Sequence, residues 1–317
     1  MEKKCNFRKG FFAVLVAASA VVGCSKSNND EPVTPPTPTD PASYYIELTT
    51  EKAVGEKIKL DVGTDKADEA GVWLDLNGNG KWDEGIDQKP KIFNNFTSFL
   101  LQAQTFKIYG KIGFLNCSDE EITALDISHN PALIDLDAIN NKLPSIAHLE
   151  HLERLAIDSH TLKNSQLPQG LTYLNVNETT PLTTINTSSF TKLQTLIVSE
   201  CKSIKSLDLS NNKKLQRLFV DNTGLTTLDL SHQPELESLY ASFTPLTKLN
   251  VAGNKALNKV KIKLTYEGKG LQGEALMDFL KQLPTREKGK EGSIYLSPAQ
   301  ATEGVKGYLG SKFWSVD

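Results

Sequence analysis

The chain has 317 residues, room for two or three small domains. A formal net charge of −3 leaves no basic surplus of the kind nucleic acid selects. The first element is a targeting segment, residues 1–24: Lys3, Lys4, Arg8 and Lys9 make a basic start, and Phe11 to Val22 form an apolar run. That run is short for a permanent membrane helix, which needs about 20 apolar residues.

The run ends in Val21-Val22-Gly23-Cys24, which resembles a bacterial lipobox. The resemblance implies cleavage before Cys24, lipidation of that cysteine and, with Ser25 behind it, an outer-membrane anchor. Asn28-Asn29-Asp30-Glu31 resembles the surface-export signals of some Gram-negative lipoproteins, and reads equally as a solvated acidic tether. Residues 25–43 carry Pro32, Pro35, Pro36, Pro38 and Pro41 among Ser, Thr and Asp, an extended spacer that cannot build a core.

Residues 44–110 read as strands. Ile58, Leu60 and Val62 alternate with polar residues, as do Phe106 and Ile108, with Gly and Asp clusters between the runs. The expectation is a small β-sandwich-like domain that also caps the N-terminal end of the repeats beginning at residue 111. Inside it, Asp75-Leu76-Asn77-Gly78-Asn79-Gly80-Lys81-Trp82-Asp83 places oxygen donors at the first positions of an EF-hand-type loop. Asp75, Asn77, Asn79, the Lys81 carbonyl and Asp83 are the candidate ligands of a structural Ca2+. The bidentate Glu expected later in such a loop is replaced by Ile86, followed by Asp87, and an Asn-Gly-rich turn between strands accounts for the same residues.

Residues 111–265 repeat. Leu115, Leu136, Leu155, Leu174, Leu196, Leu218, Leu239 and Val260 recur at steps of 19 to 22 residues, each followed two positions on by a second small or apolar residue. A second phase falls between them at Leu125, Ile185, Leu207, Leu228 and Leu249. This period predicts an α/β-type repeat protein, a leucine-rich-repeat solenoid whose parallel strands stack because no single repeat can bury its own apolar face. Asn130, Asn211, Asn222 and Asn254 suit the turns. Residues 139–170, with Pro144 and Pro168, lack clean second halves and predict local irregularity. Cys117 reads as core and Cys201 as a turn residue; the two lie about four repeats apart, too far for a bridge that needs Cα atoms within ~7 Å.

The strings ITALDISHNPAL, IKSLDLSNNKKL and LTTLDLSHQPEL resemble the repeats of internalin-J-like surface proteins. In that family a Cys often closes the strand; here Cys117 alone does, and Ala138, Ile157, Val176, Val198, Val220, Ala241 and Ile262 stand at the other positions.

Residues 266–317 change period. Leu276, Phe279, Leu280 and Leu283 have helical spacing before Pro284, a short strand follows near Ile294, and Phe313-Trp314-Ser315-Val316 closes the chain. This resembles an α/β cap over the last rung, with Trp314 in its core.

No nucleophile elbow, phosphate loop or zinc-protease motif is present, and His148, Glu150, His151 and Glu153 read as solvent-facing repeat positions. A non-catalytic binding protein is the expectation. Alternation along the strands turns Asn116, Asp137, Ala156, Asn175, Ile197, Phe219, Tyr240 and Lys261 outward on the sheet. Ile197, Phe219 and Tyr240 on successive rungs, with Tyr173, Arg217 and Lys261 around them, are the candidate contact residues for an unknown protein. The alternative is capture of a glycan, disfavoured because Trp73, Trp82 and Trp314 lie outside the repeats.

Overall fold

The computed structural model describes residues 44–317 except 165 and 179. The targeting segment, Cys24 and the whole Pro-rich spacer lie outside the described residues. Five strands come first: β1 (Tyr45–Thr50), β2 (Lys57–Gly63), β3 (Trp73–Asp75), β4 (Phe96–Leu100) and β5 (Thr105–Tyr109). The first rungs supply β6 (Phe114–Asn116), β7 (Ile122–Asp126), β8 (Asp135–Asp137), β9 (Arg154–Asp158) and β10 (Tyr173–Asn177). Further rungs give β11 (Thr195–Ile197), β12 (Arg217–Phe219), β13 (Thr227–Asp229), β14 (Ser238–Tyr240), β15 (Lys248–Asn250) and β16 (Lys259–Lys261). The chain ends with α2 (Gly273–Gln282), β17 (Gly292–Tyr295), α3 (Glu303–Ser311) and β18 (Trp314–Val316), α1 (Ser159–Asn164) having followed β9.

One sheet of twelve strands runs β4-β2-β6-β8-β9-β10-β11-β12-β14-β16-β17-β18. From β6 onward every pairing is parallel, and the leucine anchors face one another in register: Leu115, Leu136, Leu155, Leu174, Leu196, Leu218, Leu239, Val260, Ile294. All of these are essentially fully buried. Each leucine so placed contributes about 1.5–3 kcal/mol of burial, collected only because its neighbours lie a strand spacing away. The solenoid does not begin at a boundary. β2 pairs antiparallel with β6, and β1 pairs antiparallel with β7, so both sheets of the N-terminal strands are hydrogen-bonded into the first repeat.

The second phase of leucines turns in from the other side of the coil. There β13 and β15 form a small parallel pair, and Leu209, Leu228, Leu230, Leu249 and Val251 are buried. The Leu-Asp-Leu-Ser strings are explained by the turn that follows each: the Asp208 and Asp229 carboxylates accept from the backbone N–H of Ser210 and Ser231, both at 2.9 Å. Asp126, Asn186 and Asn250 do the same in their own repeats.

Polar ladders close the turns from inside. Asn212, fully buried, donates to the Thr187 and Phe190 carbonyls, Gln233 to Leu209, and Asn254 to Leu230 and Gln233. Of the Asn residues expected in turns, Asn130 and Asn254 are in this ladder, while Asn211 is exposed and its neighbour Asn212 takes the inner place. A second ladder holds Asn141, Thr223, Thr244 and, at the same position of its repeat, Cys201, whose thiol faces the Val176 carbonyl at 3.6 Å. Burial pushes the Cys201 thiol up to about 12 and the Cys117 thiol up as well, so both are inert core groups, free and buried.

In the irregular middle, α1 replaces a turn. At the C-terminal end, α2 buries Leu276, Phe279 and Leu280, and Lys312 donates to the Lys281 carbonyl at 2.8 Å near its last turn. The helices do not interrupt the sheet, because β17 and β18 add to β16 as further parallel strands. Trp314 is buried, its indole N–H donating to the Pro284 carbonyl, and its ring lies so close over Gly292 that a Cβ there would sit 2.7 Å from it. Among the described residues, no helix is long and apolar enough to cross a membrane.

Candidate functional site

The registers place the outward residues in two rows across the sheet. The first reads Phe114, Asp135, Arg154, Tyr173, Thr195, Arg217, Ser238, Lys259, Ser293. The second reads Asn116, Asp137, Ala156, Asn175, Ile197, Phe219, Tyr240, Lys261, Tyr295. The alternation argued from sequence therefore gathers Ile197, Phe219, Tyr240 and Lys261 in one row, with Tyr173 and Arg217 in the row beside it. Tyr295 was missed. It arrives on β17 after a long insertion containing α2, so no repeat spacing marks it.

The exposure differs from expectation at Asn116, Ala156 and Tyr240, which are buried, Tyr240 being only 8% exposed, whereas Ile197 and Phe219 are half-buried. Phe219 stacks on Tyr240 with ring centroids 4.5 Å apart and planes 12° from parallel. Lys259 and Lys261 lie 5.6 and 5.1 Å from the Tyr240 ring centroid, and Lys261 is also 4.7 Å from that of Tyr295. The Tyr240 hydroxyl, hydrogen-bonded to Lys259, raises the pKa of that ammonium.

The other half of the sheet is polar and internally matched. Arg154 pairs with Asp135 at 3.0 Å and lies 4.0 Å from the Tyr173 ring centroid. Asp137 accepts from Ser118 and Asn116. Asp158, almost fully buried, accepts from the Asn140 and Asn141 backbone and from Asn177.

The candidate calcium loop lies apart, between β3 and β4. Asp75 is fully buried, and its two oxygens accept from Asn79 N–H at 3.2 Å and Gly80 N–H at 2.7 Å. Asp83 accepts from the Asn77 and Asn79 side-chain amides, which hold its carboxyl below the usual range. The Asn77 and Asn79 oxygens accept from Asn79 N–H and Lys81 N–H, and Asp87 closes the base by accepting from Leu76 and Asp83 N–H. The donors are the hard oxygens calcium takes. Here Asn77 and Asn79 turn nitrogen toward Asp83, and among the described residues no group of three His, Cys, Asp or Glu is placed to hold a metal. His148 sits 3.7 Å from Glu150 at the surface.

Trp73 and Trp82, both outside the repeats, belong to one aromatic strip. Trp73 stacks on Tyr109 at 4.4 Å, Trp82 meets Trp73 edge-on at 5.7 Å, and Tyr45 lies between Tyr109 and His129 at 5.8 and 4.3 Å. Cross-strand pairing of β3, β5 and β1 brings this strip together on the N-terminal sheet.

No protein-family model and no curated protein matches the chain. Among solved structures it is similar to the functional domain of InlJ from Listeria monocytogenes, which includes a cysteine ladder: 21% identity, TM-score 0.43, covering 62% of this chain and 47% of that one. It is similar also to the internalin InlF of the same organism, at 14% identity and TM-score 0.43, with 65% of this chain and 60% of that one covered. A leucine-rich-repeat protein of Leptospira interrogans matches at 17% identity and TM-score 0.41, over 64% and 59% of the two chains. The chain thus spans between about half and three fifths of the length of these structures. The stacked rungs themselves, with one buried leucine row and parallel strands in register, define a leucine-rich-repeat protein.

Proposed function

We propose that this is a lipoprotein of the cell envelope, anchored in the outer membrane through Cys24 and facing the cell surface, that acts as a non-catalytic protein-binding or adhesion module. Its contact surface is the outward face of the twelve-stranded sheet. One observation carries the binding half of this reading: Ile197, Phe219 and Tyr240 sit on consecutive strands of a sheet face, a contiguous apolar strip rimmed by Arg217, Lys259 and Lys261. Aromatic residues beside Arg, on a rigid scaffold, have the composition of binding hot spots. The sequence alone supports the anchor.

The binding test is the pair Phe219→Ser and Tyr240→Ser in capture experiments on envelope and host extracts. The variant is expected to fold and to lose the partner; unchanged capture overturns the reading. Protease shaving of intact cells tests the location, with cleavage of the solenoid expected and protection placing it behind the outer membrane.

A second reading, capture of a glycan, is favoured by one arrangement, the aromatic strip of Trp82, Trp73, Tyr109 and Tyr45, in which Trp82 is 47% exposed. A glycan array separates the readings: binding that survives the Phe219 and Tyr240 changes and falls with Trp82→Ala assigns the glycan to the N-terminal strip.

A further inference from the structure

The two halves of the outward sheet treat their charges differently. In the first half a cation meets a carboxylate of the protein itself, Arg154 against Asp135. Nearby carboxylates are also engaged: Glu120 pairs with Lys52 at 2.7 Å, Glu121 with Lys142 at 3.4 Å, and Asp119 accepts from Asn140. In the second half, from β11 to β17, the two outward rows hold Arg217, Lys259 and Lys261 and no carboxylate. Lys259 and Lys261 make no ion pair with a described residue and rest on aromatic rings instead. The carboxylate that Lys261 feels, Asp221, is turned to Ser242, accepting from its N–H at 2.8 Å, and burial raises its pKa.

Resting on the reading that this sheet face binds a protein, we infer that its C-terminal half takes an acidic polypeptide segment. An apolar side chain seats against Ile197 and Phe219, and carboxylates meet Lys259 and Lys261. Charge complementarity selects the sign of the partner: Lys259 and Lys261 stand on this face with no ion pair among the described residues, and an acidic segment supplies their counterions. The rings select a polypeptide over a sugar chain. Tyr240 has Phe219 against it and two lysines over it, so its ring offers no free platform, while Ile197 and Phe219 offer an apolar seat.

The spacing gives the segment its pattern. Phe219 and Lys261 are two strands apart in register, about 10 Å, which an extended chain covers in about three residues. An apolar residue followed some three positions later by Glu or Asp therefore matches the surface when the segment crosses the strands.

The probe is a fluorescein-labelled peptide with a Leu-Trp pair followed by a run of Glu, alongside versions with Gln or Lys in place of Glu. Binding is read by fluorescence anisotropy in low and physiological salt. The Glu peptide is expected to bind about tenfold or more tighter than the Gln peptide, to weaken with salt, and to lose about that factor in the K259E/K261E double variant. Equal affinity for the Glu and Gln peptides, or indifference to K259E/K261E in a variant that unfolds normally, overturns the inference. Displacement by polygalacturonate as effective as by unlabelled Glu peptide also overturns it, since the face then takes any polyanion. If Phe219→Ser abolishes capture of a partner that K259E/K261E still binds, the sheet remains the binding face and the acidic segment alone is wrong.

Discussion

The back of the coil and the front of its sheet are built from the same repeats, yet they spend their polar atoms in opposite ways. On the back, Asp126, Asn186, Asp208, Asp229 and Asn250 accept from the backbone of their own turns, and Asn212, Gln233 and Asn254 satisfy carbonyls of the preceding turn. On the front, from β11 onward, rings stack on rings and lysines lie over them. A polar residue whose partner is one repeat away serves the scaffold. On the proposed reading, lysines with no ion pair among the described residues are left for another molecule. The same period in the sequence hides this difference, because it marks the positions and not their partners.

The comparison breaks first at the leucine row, which both faces share. Leu218→Ala removes a fully buried side chain and is expected to cost about 2–5 kcal/mol in urea unfolding. A loss well under about 1 kcal/mol would mean that the row does not form the core. Next comes the inner ladder: Asn212→Ala removes the amide donor to the Thr187 and Phe190 carbonyls, leaving each only a backbone N–H, and takes an acceptor from the Thr187 hydroxyl, at an expected cost of about 1–3 kcal/mol. A neutral result would show that water takes the place of the amide.

The carboxylates of the back sharpen the contrast through pH. Backbone and hydroxyl of Ser210 and Ser231 hold Asp208 and Asp229 below the usual carboxylate range, and the Ser128 hydroxyl and backbone do the same for Asp126. A folded-state value below the unfolded one means that the stabilisation is complete above the unfolded pKa of about 3.9 and is lost as pH falls through the folded values. Thermal melts are therefore expected to decline below about pH 4. Replacing Asp208 and Asp229 together by Asn should flatten that decline, and an unaltered acid limb would exclude these turns as its source. Calcium is the next measurement: we propose that adding it to metal-free protein raises Tm through the 75–87 loop and that Asp83→Asn removes the rise. A Tm indifferent to calcium and chelator leaves the loop as a hydrogen-bonded turn. Smallest in stability is the front itself, where Phe219→Ser is expected to cost about 1 kcal/mol of stacking and, on the proposed function, to remove binding.

The strand phase, the outward rows and the helical change of period near Leu276 were legible in sequence, because each depends on spacing alone. Other features were not. Asn211 and Asn212 are adjacent and chemically identical, and only the geometry of the turn decides which faces inward. Tyr240 reads as an exposed aromatic, since its cover comes from Phe219, Lys259 and Lys261 on other rungs. Tyr295 lacks any repeat signal because its rung is completed after α2. Trp73, Tyr109 and Tyr45 come together through antiparallel pairing of strands far apart in the chain, with Trp82 reaching Trp73 from the loop after β3, which a local pattern does not encode.

The in-register stacking of β12, β14 and β16 makes the length of this molecule an editable quantity. Because each rung meets its neighbours through the same leucine, excising the one repeat that runs from Val220 to Tyr240 would join β12 to β16 without changing the core and set Phe219 directly beside Lys261. The outward rows can thus be rewritten by counting rungs rather than by changing side chains. The two ends lack this freedom: β2 at one and β18 at the other each cover the last anchor of the row, Leu115 and Ile294.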